Sequence, residues 1–212
     1  MENLQSLNPN RSQKALKVLK TIIIVFLLPW VYSFSLAFVN ESQAVQRALF
    51  NSFVCGIISF LVIYLFIYSP SKVYQKGQKM TEATFRFISP LVKVAPFVMP
   101  IYSIIIFLLY ALIFRFVHSQ MIFKIFMFLI GFSIILHLVF SAKVLHSRKD
   151  DFLMINYLFS FIFIYLINVA LLSLGFSIIF KAFSLNSFCQ SSLEISSSIF
   201  SAVFNQLFTC PV

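Results

Sequence analysis

Long apolar runs, separated by short polar and charged segments, dominate the amino-acid sequence. A helix that crosses the hydrocarbon core of a bilayer needs about 20 predominantly apolar residues. Five runs of roughly that length contain no acidic residue, and they lie at 21–39, 49–69, 94–117, 122–141 and 152–180. The sequence offers no sixth run of this kind. The pattern predicts an all-α polytopic membrane protein whose five transmembrane helices occupy residues 21–183.

The lysines and arginines between the runs predict how the helices are oriented. They cluster in alternate gaps, at Arg11, Lys14, Lys17 and Lys20 before the first run, Lys72, Lys76, Lys79 and Arg86 after the second, and Lys143, Arg148 and Lys149 after the fourth. Because cytoplasmic loops carry an excess of Lys and Arg, the basic tail 1–20 is predicted to be cytoplasmic and the C-terminus to lie on the outer side. The membrane would be a bacterial inner membrane or an organelle membrane, and the basic loops would contact anionic lipid headgroups.

The first run also fits a second interpretation. A basic segment, an apolar core and small residues at Ser35–Ala37 are typical of a cleavable signal peptide. The run is therefore either the first transmembrane helix or a segment that is removed.

Composition excludes a soluble protein and gives no sign of nucleic-acid binding. Hydrophobic residues make up 60% of the chain and charged residues 10%, and the 29 phenylalanines exceed what one soluble core of 212 residues could bury. The net charge is +10. Nucleic-acid binding requires basic residues clustered on one folded face, whereas here they mark the ends of apolar runs, so the lipid bilayer and other membrane proteins are the predicted partners.

The C-terminal region 184–212 contains a weaker, amphipathic pattern. Ser191 and Glu194 have the spacing of a capping box. An apolar stripe follows at Ile195, Ile199, Val203 and Leu207, opposite the polar residues Ser197, Ser201 and Asn205. The pattern predicts a short helix that does not span but lies in the outer interface or docks on the bundle. It would serve either as a lid over the protein's own helices or as a docking element for a partner.

Cys189 and Cys210 bracket this amphipathic segment. An outer compartment permits disulfides to persist, so the predicted topology makes these two cysteines a candidate disulfide. Cys55, within the second run, is expected to be a small buried apolar residue.

Few polar groups fall within the predicted spans. His137 in the fourth run and Asn168 in the fifth lie at comparable depth and are predicted to make polar contacts between helices. Pro90, Pro96 and Pro100 predict a kinked or broken start of the third helix. Such a break either serves packing or lines a substrate cavity, as in transporters.

No arrangement of residues indicates catalysis, a cofactor or a metal. The three histidines, His118, His137 and His146, fall at different predicted depths and would not converge on one ion. No serine, histidine and carboxylate lie at one level, and no glycine-rich phosphate loop is present. The sequence therefore predicts a protein that is not an enzyme and binds no cofactor.

One stretch resembles a known family. The segment TEATFRFISPLVKVAPFVMPIYSIIIF and the later IFKIFMFLIGFSIILHLVFSAKV, within about residues 81–143, are similar to the middle of the Yip family of five-span membrane proteins. Gly131, His137, Ser141 and Lys143 stand where the family has a Gly, His, Ser and Lys pattern at the end of its fourth span. The resemblance implies a non-enzymatic membrane protein that acts through partners or bilayer organisation.

These observations lead to two functional hypotheses. The first is a non-catalytic accessory, scaffold or assembly subunit of a larger membrane complex. The alternative is a small permease or channel subunit that uses the proline-broken third span and His137.

Overall fold

The chain is helical throughout its described part. The computed structural model describes residues 9–66, 71–84, 98–113, 119–146 and 153–208, and all regular secondary structure within them is α-helix. In chain order the helices are α1 (Pro9–Ser42), α2 (Arg47–Phe66), α3 (Ser71–Thr84), α4 (Ile101–Ile113), α5 (Gln120–His146), α6 (Leu153–Ile179) and α7 (Leu185–Phe208). The predicted all-α class is confirmed.

Four of the helices are long and apolar enough to cross a membrane. These segments are Val18–Ser42, Arg47–Phe66, Gln120–His146 and Tyr157–Ile179, and they correspond to the first, second, fourth and fifth predicted spans. Their length and composition support the prediction of a membrane protein. The number of five spans stays a prediction, because the described part of the third one is shorter than the roughly 20 residues that a crossing needs.

The third predicted span is represented by α4, an apolar helix of 13 residues that begins directly after Pro100. The amide of Ile104 donates to the carbonyl of Pro100 at 3.0 Å, which forms the first turn. Proline is well tolerated there because its missing N–H falls where a helix leaves its amides unpaired. Pro90 and Pro96 lie outside the described residues.

The most extensive helix–helix contact joins α2 and α5, which pack in parallel. Gly56 of α2 and Gly131 of α5 lie at the crossing, where a Cβ on either glycine would overlap a backbone carbonyl of the opposite helix. Farther along, Phe60 lies 5.1 Å from Phe132 and Tyr64 lies 5.8 Å from Phe140, measured between ring centroids. Small residues at a helix crossing let two backbones approach closely, as is common in membranes.

Contacts between the other helices show how two further pairs run relative to each other. Helix α4 is antiparallel to α5, with the hydroxyls of Ser103 and Ser133 2.7 Å apart and Tyr110 packed on Phe123 at 5.3 Å. Helix α6 is parallel to α1. The pairs that show this are Ser35 with Tyr165, whose hydroxyl oxygens lie 2.7 Å apart, and Phe38 with Phe176, whose ring centroids lie 5.2 Å apart.

A cluster of phenylalanines holds one end of the bundle together. Phe176 of α6 is fully buried. Its ring centroid lies 5.2–5.7 Å from those of four others, namely Phe38, Phe53, Phe180 and Phe183. The cluster joins α1 and α2 to the turn that leads into α7. Each such aromatic pair contributes roughly 0.5–1.5 kcal/mol beyond the burial of its area.

Helix α7 differs from the short C-terminal helix that the sequence predicts. It has 24 residues, which corresponds to about 36 Å at 1.5 Å per residue. It begins at Leu185, and the hydroxyl of Ser184 caps it by accepting a hydrogen bond from the amide of Ser187 at 3.2 Å. The predicted capping pair, Ser191 and Glu194, lies inside the helix.

Of the two placements that the sequence predicts for this helix, the structure has it docked on the bundle. It runs antiparallel along α1, with Phe188 packed against Phe34 at 5.4 Å and Phe200 against Phe26 at 5.9 Å. Ser192 and Ser196 lie one and two turns after Phe188 and are buried on the same face. The end of α7 therefore lies beside the first half of α1 rather than at the end of the bundle where α7 begins.

Candidate functional site

A chain of polar side chains links the amphipathic helix α3 to α5. The hydroxyl of Tyr74 lies 3.0 Å from the Ser141 hydroxyl and accepts a hydrogen bond from the amide of Gln78 at 3.2 Å. The Ser141 hydroxyl in turn lies 3.5 Å from Nε2 of His137, a long contact. Tyr74, His137 and Ser141 are all buried. Sequence reasoning identified His137 but missed its connection to α3.

Burial makes the Tyr74 hydroxyl harder to ionise. Removal from water raises the pKa of its hydroxyl above the usual value, and the hydrogen bonds to Ser141 and Gln78 only partly oppose this effect. A tyrosine hydroxyl already carries its proton at neutral pH, and the shift moves its ionisation further from that range, so it can donate a hydrogen bond. Its ring also stacks on Phe140 at 5.4 Å, which fixes α3 against α5.

The cavity beside this polar chain is very small. It measures about 10 Å³ and is lined by residues of α3, α4 and α5, among them Gly77, Thr81, Tyr102 and His137. That volume is at the lower limit for a single water molecule. Tyr102 closes it from the α4 side by donating to the carbonyl of Val73 at 2.6 Å. The geometry supports attachment of α3 to the bundle rather than binding of a substrate at His137.

Asn168 hydrogen-bonds to the backbone just before α4 begins. Its fully buried side-chain amide donates to the carbonyls of Val98 at 3.1 Å and Ile164 at 2.7 Å. The Val98 carbonyl lies just before the non-helical residues 99 and 100 that precede α4, so the Asn168 amide supplies a donor to backbone ahead of the helix. The predicted polar residues His137 and Asn168 thus have separate partners and separate roles in the structure.

The predicted disulfide between Cys189 and Cys210 finds no support. Cys189 is exposed and carries a free thiol. Helix α7 continues from Leu185 to Phe208, so the 19 positions from Cys189 to Phe208 span about 28 Å, whereas bridged cysteines have Cα atoms about 4.4–6.8 Å apart. Cys210 lies outside the described residues, and an intrachain bridge to it would require α7 to unwind over several turns.

Cys55 differs from its prediction as well, because its side chain is exposed on α2 rather than buried. Across the described segments, no three His, Cys, Asp or Glu side chains lie close enough to hold a metal ion.

The exposed face of α7 carries a regular row of polar and aromatic residues, which we call the outer seam. Its members follow one another at alternating spacings of four and three, and all of them are exposed: Gln190, Glu194, Ser197, Ser201, Phe204 and Phe208. The amide of Gln190 donates to a carboxyl oxygen of Glu194 at 3.0 Å. Alternating spacings of four and three place side chains on one side of a helix, as in the contact line of a coiled coil.

The outer seam contrasts with the exposed surface of its neighbour α1. Helix α1 exposes apolar side chains, including Ile22, Val25 and Leu28, which suit contact with acyl chains. Sequence analysis placed Ser197 and Ser201 on the polar face of this helix, but it did not extend that face to Gln190 at one end or to Phe204 and Phe208 at the other. Ile195 and Ile199 of the apolar stripe are half-buried in the structure. The alternating spacing of four and three is the feature of the sequence from which the whole seam could have been predicted.

Comparison with protein-family models, curated proteins and solved structures finds no match to this chain. The resemblance to the Yip family therefore stays a prediction.

Proposed function

We propose that this protein is a non-catalytic accessory, scaffold or assembly subunit of a larger membrane complex. The observation that carries the proposal is the outer seam on the exposed face of α7. Polar side chains within a bilayer are costly unless they find hydrogen-bonding partners, and residues such as Glu194 and Ser197 face away from the helices of their own chain. A neighbouring protein helix would supply those partners.

We further propose a topology in which the N-terminus is cytoplasmic, α4 forms the core of a third span, and α7 crosses the membrane as well. The antiparallel packing of α7 on α1 supports this crossing, and its length of about 36 Å exceeds the hydrocarbon thickness of about 30 Å. The C-terminus would then share the side of the N-terminus, in place of the outer location predicted from charge alone.

Labelling of single cysteines would test this topology. In a chain with Cys55→Ala and Cys189→Ala, we expect the remaining Cys210 to resist a membrane-impermeant maleimide in intact cells and to react after permeabilisation. The matched control keeps the same background, adds Cys210→Ala and carries Gln43→Cys in the exposed turn between α1 and α2, which should react in intact cells. If Cys210 reacted in intact cells as Gln43→Cys does, α7 would not cross the membrane.

Co-purification from native membranes would test the function. With a tag at the N-terminus and mild detergent, we expect a different membrane protein to be recovered in stoichiometric amount. Ser197→Phe combined with Ser201→Phe should abolish its recovery, because bulky rings prevent close helix approach at the seam. The control variant Leu108→Phe changes an exposed residue of α4 and should leave recovery unchanged. Recovery of this chain without any other protein would contradict the proposal.

The permease alternative receives less support from the geometry. A transported solute would have to pass His137, and the cavity there measures about 10 Å³. The surrounding side chains of Tyr74, Tyr102 and Ser141 are engaged in holding α3 in place. These contacts favour a structural role for the polar chain.

A further inference from the structure

We propose that an anionic phospholipid binds between α4 and α6, with its headgroup in a cavity at the end of the bundle and one acyl chain in the apolar groove that follows. The site shares no residue with the outer seam or with the polar chain that attaches α3. It therefore adds a lipid-binding role that does not depend on a partner protein or on the position of α7.

The cavity lies where three of the candidate membrane spans end. Helices α2 and α5 begin beside it, at Arg47 and Gln120, and α6 ends beside it at Ile179. The ends of spanning helices lie at the boundary between hydrocarbon and lipid headgroups. The cavity measures about 400 Å³, which is within the range of roughly 300–1,000 Å³ for clefts that bind small ligands.

The lining of the cavity combines apolar surface with groups that donate hydrogen bonds. Leu49 and Phe123 belong to the apolar part, and Gln46, Gln120 and Lys181 are exposed polar residues. An ammonium group and two side-chain amides can all donate to the oxygens of an anion. Among the described residues that line the cavity, none is Asp or Glu. The lining therefore suits a negatively charged group that is attached to an apolar body.

The surroundings of the cavity add to its positive charge. Arg47 directly follows the lining residue Gln46, and Lys124 lies one turn after Gln120 on the same face of α5; both cations are exposed. The first turns of the parallel helices α2 and α5 contribute partial positive charge as well. Glu41, in the last turn of α1, does not line the cavity. A headgroup with net negative charge is therefore favoured over a neutral or zwitterionic one.

An apolar groove of about 250 Å³ lies next to the cavity, farther from the end of the bundle. Helices α4 and α6 both pack on α5, and the groove runs between them over Ile134 of α5. Phe107 and Gly175 line the groove, and each lies about one turn from a residue that lines the cavity, namely Tyr110 on α4 and Ile179 on α6. The two spaces therefore follow one another along the same pair of helices.

The groove has the properties of a site for an acyl chain. Ser103 is its one polar lining residue in the described part of the chain, and its hydroxyl lies 2.7 Å from that of Ser133, so this hydroxyl already has a partner. Ile178 at the edge of the groove is 72% exposed, which leaves the groove open toward the bilayer. A soluble anion would use the cavity alone and a neutral lipid the groove alone, whereas an anionic phospholipid fits both.

Thermal unfolding of the full chain in a neutral detergent would test the site. The added probes are phosphatidylglycerol, phosphatidylcholine with the same acyl chains, and glycerol phosphate, which lacks a chain. A ligand that binds the folded chain raises Tm according to its concentration relative to Kd, and we expect the apparent Kd to be about tenfold lower for phosphatidylglycerol than for phosphatidylcholine. Equal stabilisation by the two lipids, or an equal effect of glycerol phosphate, would overturn the proposal.

Charge reversal tests the cavity. Lys181→Glu should raise the apparent Kd for phosphatidylglycerol about tenfold, because it replaces a charge-assisted hydrogen bond with repulsion. The matched control is Lys79→Glu on α3, which alters an exposed lysine at the opposite end of the bundle and changes the net charge by the same amount. It should leave the apparent Kd unchanged. Equal weakening by both variants would show attraction to the whole basic protein and would overturn the site.

Filling the groove tests the position of the acyl chain. Ile178→Trp should weaken phosphatidylglycerol binding, because the larger side chain occupies the groove, and the exposure of Ile178 lets the chain still fold. The control Leu158→Trp alters an exposed leucine of α6 that does not line the groove. The Tm of each variant without lipid shows whether it is folded. If Ile178→Trp bound phosphatidylglycerol as tightly as Leu158→Trp, the acyl chain would not lie in the groove and the proposal would be wrong.

Discussion

Replacing Gly131 with leucine is expected to separate α2 from α5 and to leave little folded protein. Even a Cβ at this position would overlap the backbone carbonyl of Phe53, and a backbone atom cannot move aside as a side chain can. Overpacking of a core typically costs about 1–3 kcal/mol, and a leucine at a backbone crossing should exceed that range. Gly131→Ala should give a smaller loss, and thermal unfolding in detergent, followed by size-exclusion chromatography, would measure both.

A matched control is available at Gly175 of α6. There the atoms nearest to an added Cβ belong to the ring of Phe107, whose side chain can move, beside an apolar groove of about 250 Å³. We therefore expect Gly175→Ala to lower the melting temperature less than Gly131→Ala. If the two alanine variants melted at the same temperature, close backbone contact would not be what the α2–α5 crossing requires.

Phe176→Ala is expected to give the other large loss, about 3–5 kcal/mol in the free energy of unfolding. Phe176 is fully buried and contacts rings from α1, α2 and the turn before α7, so its removal would leave a cavity where these elements meet. Phe163→Ala on the same helix is the control, because Phe163 is half exposed. Similar melting temperatures for the two variants would show that the aromatic cluster does not hold this end of the bundle together.

The membrane-spanning segments could be predicted because hydropathy is a property of a whole run. The predicted span 122–141 lies within Gln120–His146, and the predicted span 49–69 overlaps Arg47–Phe66 from residue 49 to residue 66. The third predicted span, 94–117, is matched only by the described helix Ile101–Ile113 of 13 residues, so its full length stays a prediction.

Contacts between helices could not be predicted from depth alone. His137 and Asn168 lie at comparable predicted levels, but pairing also depends on how each helix is rotated and on which helices are neighbours. The structure turns His137 toward Ser141 and Tyr74, and Asn168 toward the Val98 carbonyl. The sequence pattern of one helix predicts how deep a side chain lies in the membrane and on which face of the helix it stands. It does not predict which other helix packs against that face.

The serines of α7 show a second reason why its position was hard to predict from the sequence. Its serines lower the average hydropathy of the segment, and a serine-rich face is usually interpreted as solvent-exposed. Here Ser192 and Ser196 are buried against the bundle, where small side chains allow close helix approach. Ser184, which caps the helix, precedes the stronger capping pattern at Ser191 and Glu194, so the helix begins earlier than predicted.

The parallel packing of α2 on α5 has a consequence for biogenesis. Gly56 and Gly131 are 75 positions apart in the chain, so at about 5–20 residues per second the ribosome needs roughly 4–15 s to synthesise the partner that α2 requires. During that interval the face of α2 that carries Gly56 must be covered by lipid or by the insertion machinery. Assembly of this bundle is therefore completed late, after α5 has entered the membrane and not when the first hairpin inserts.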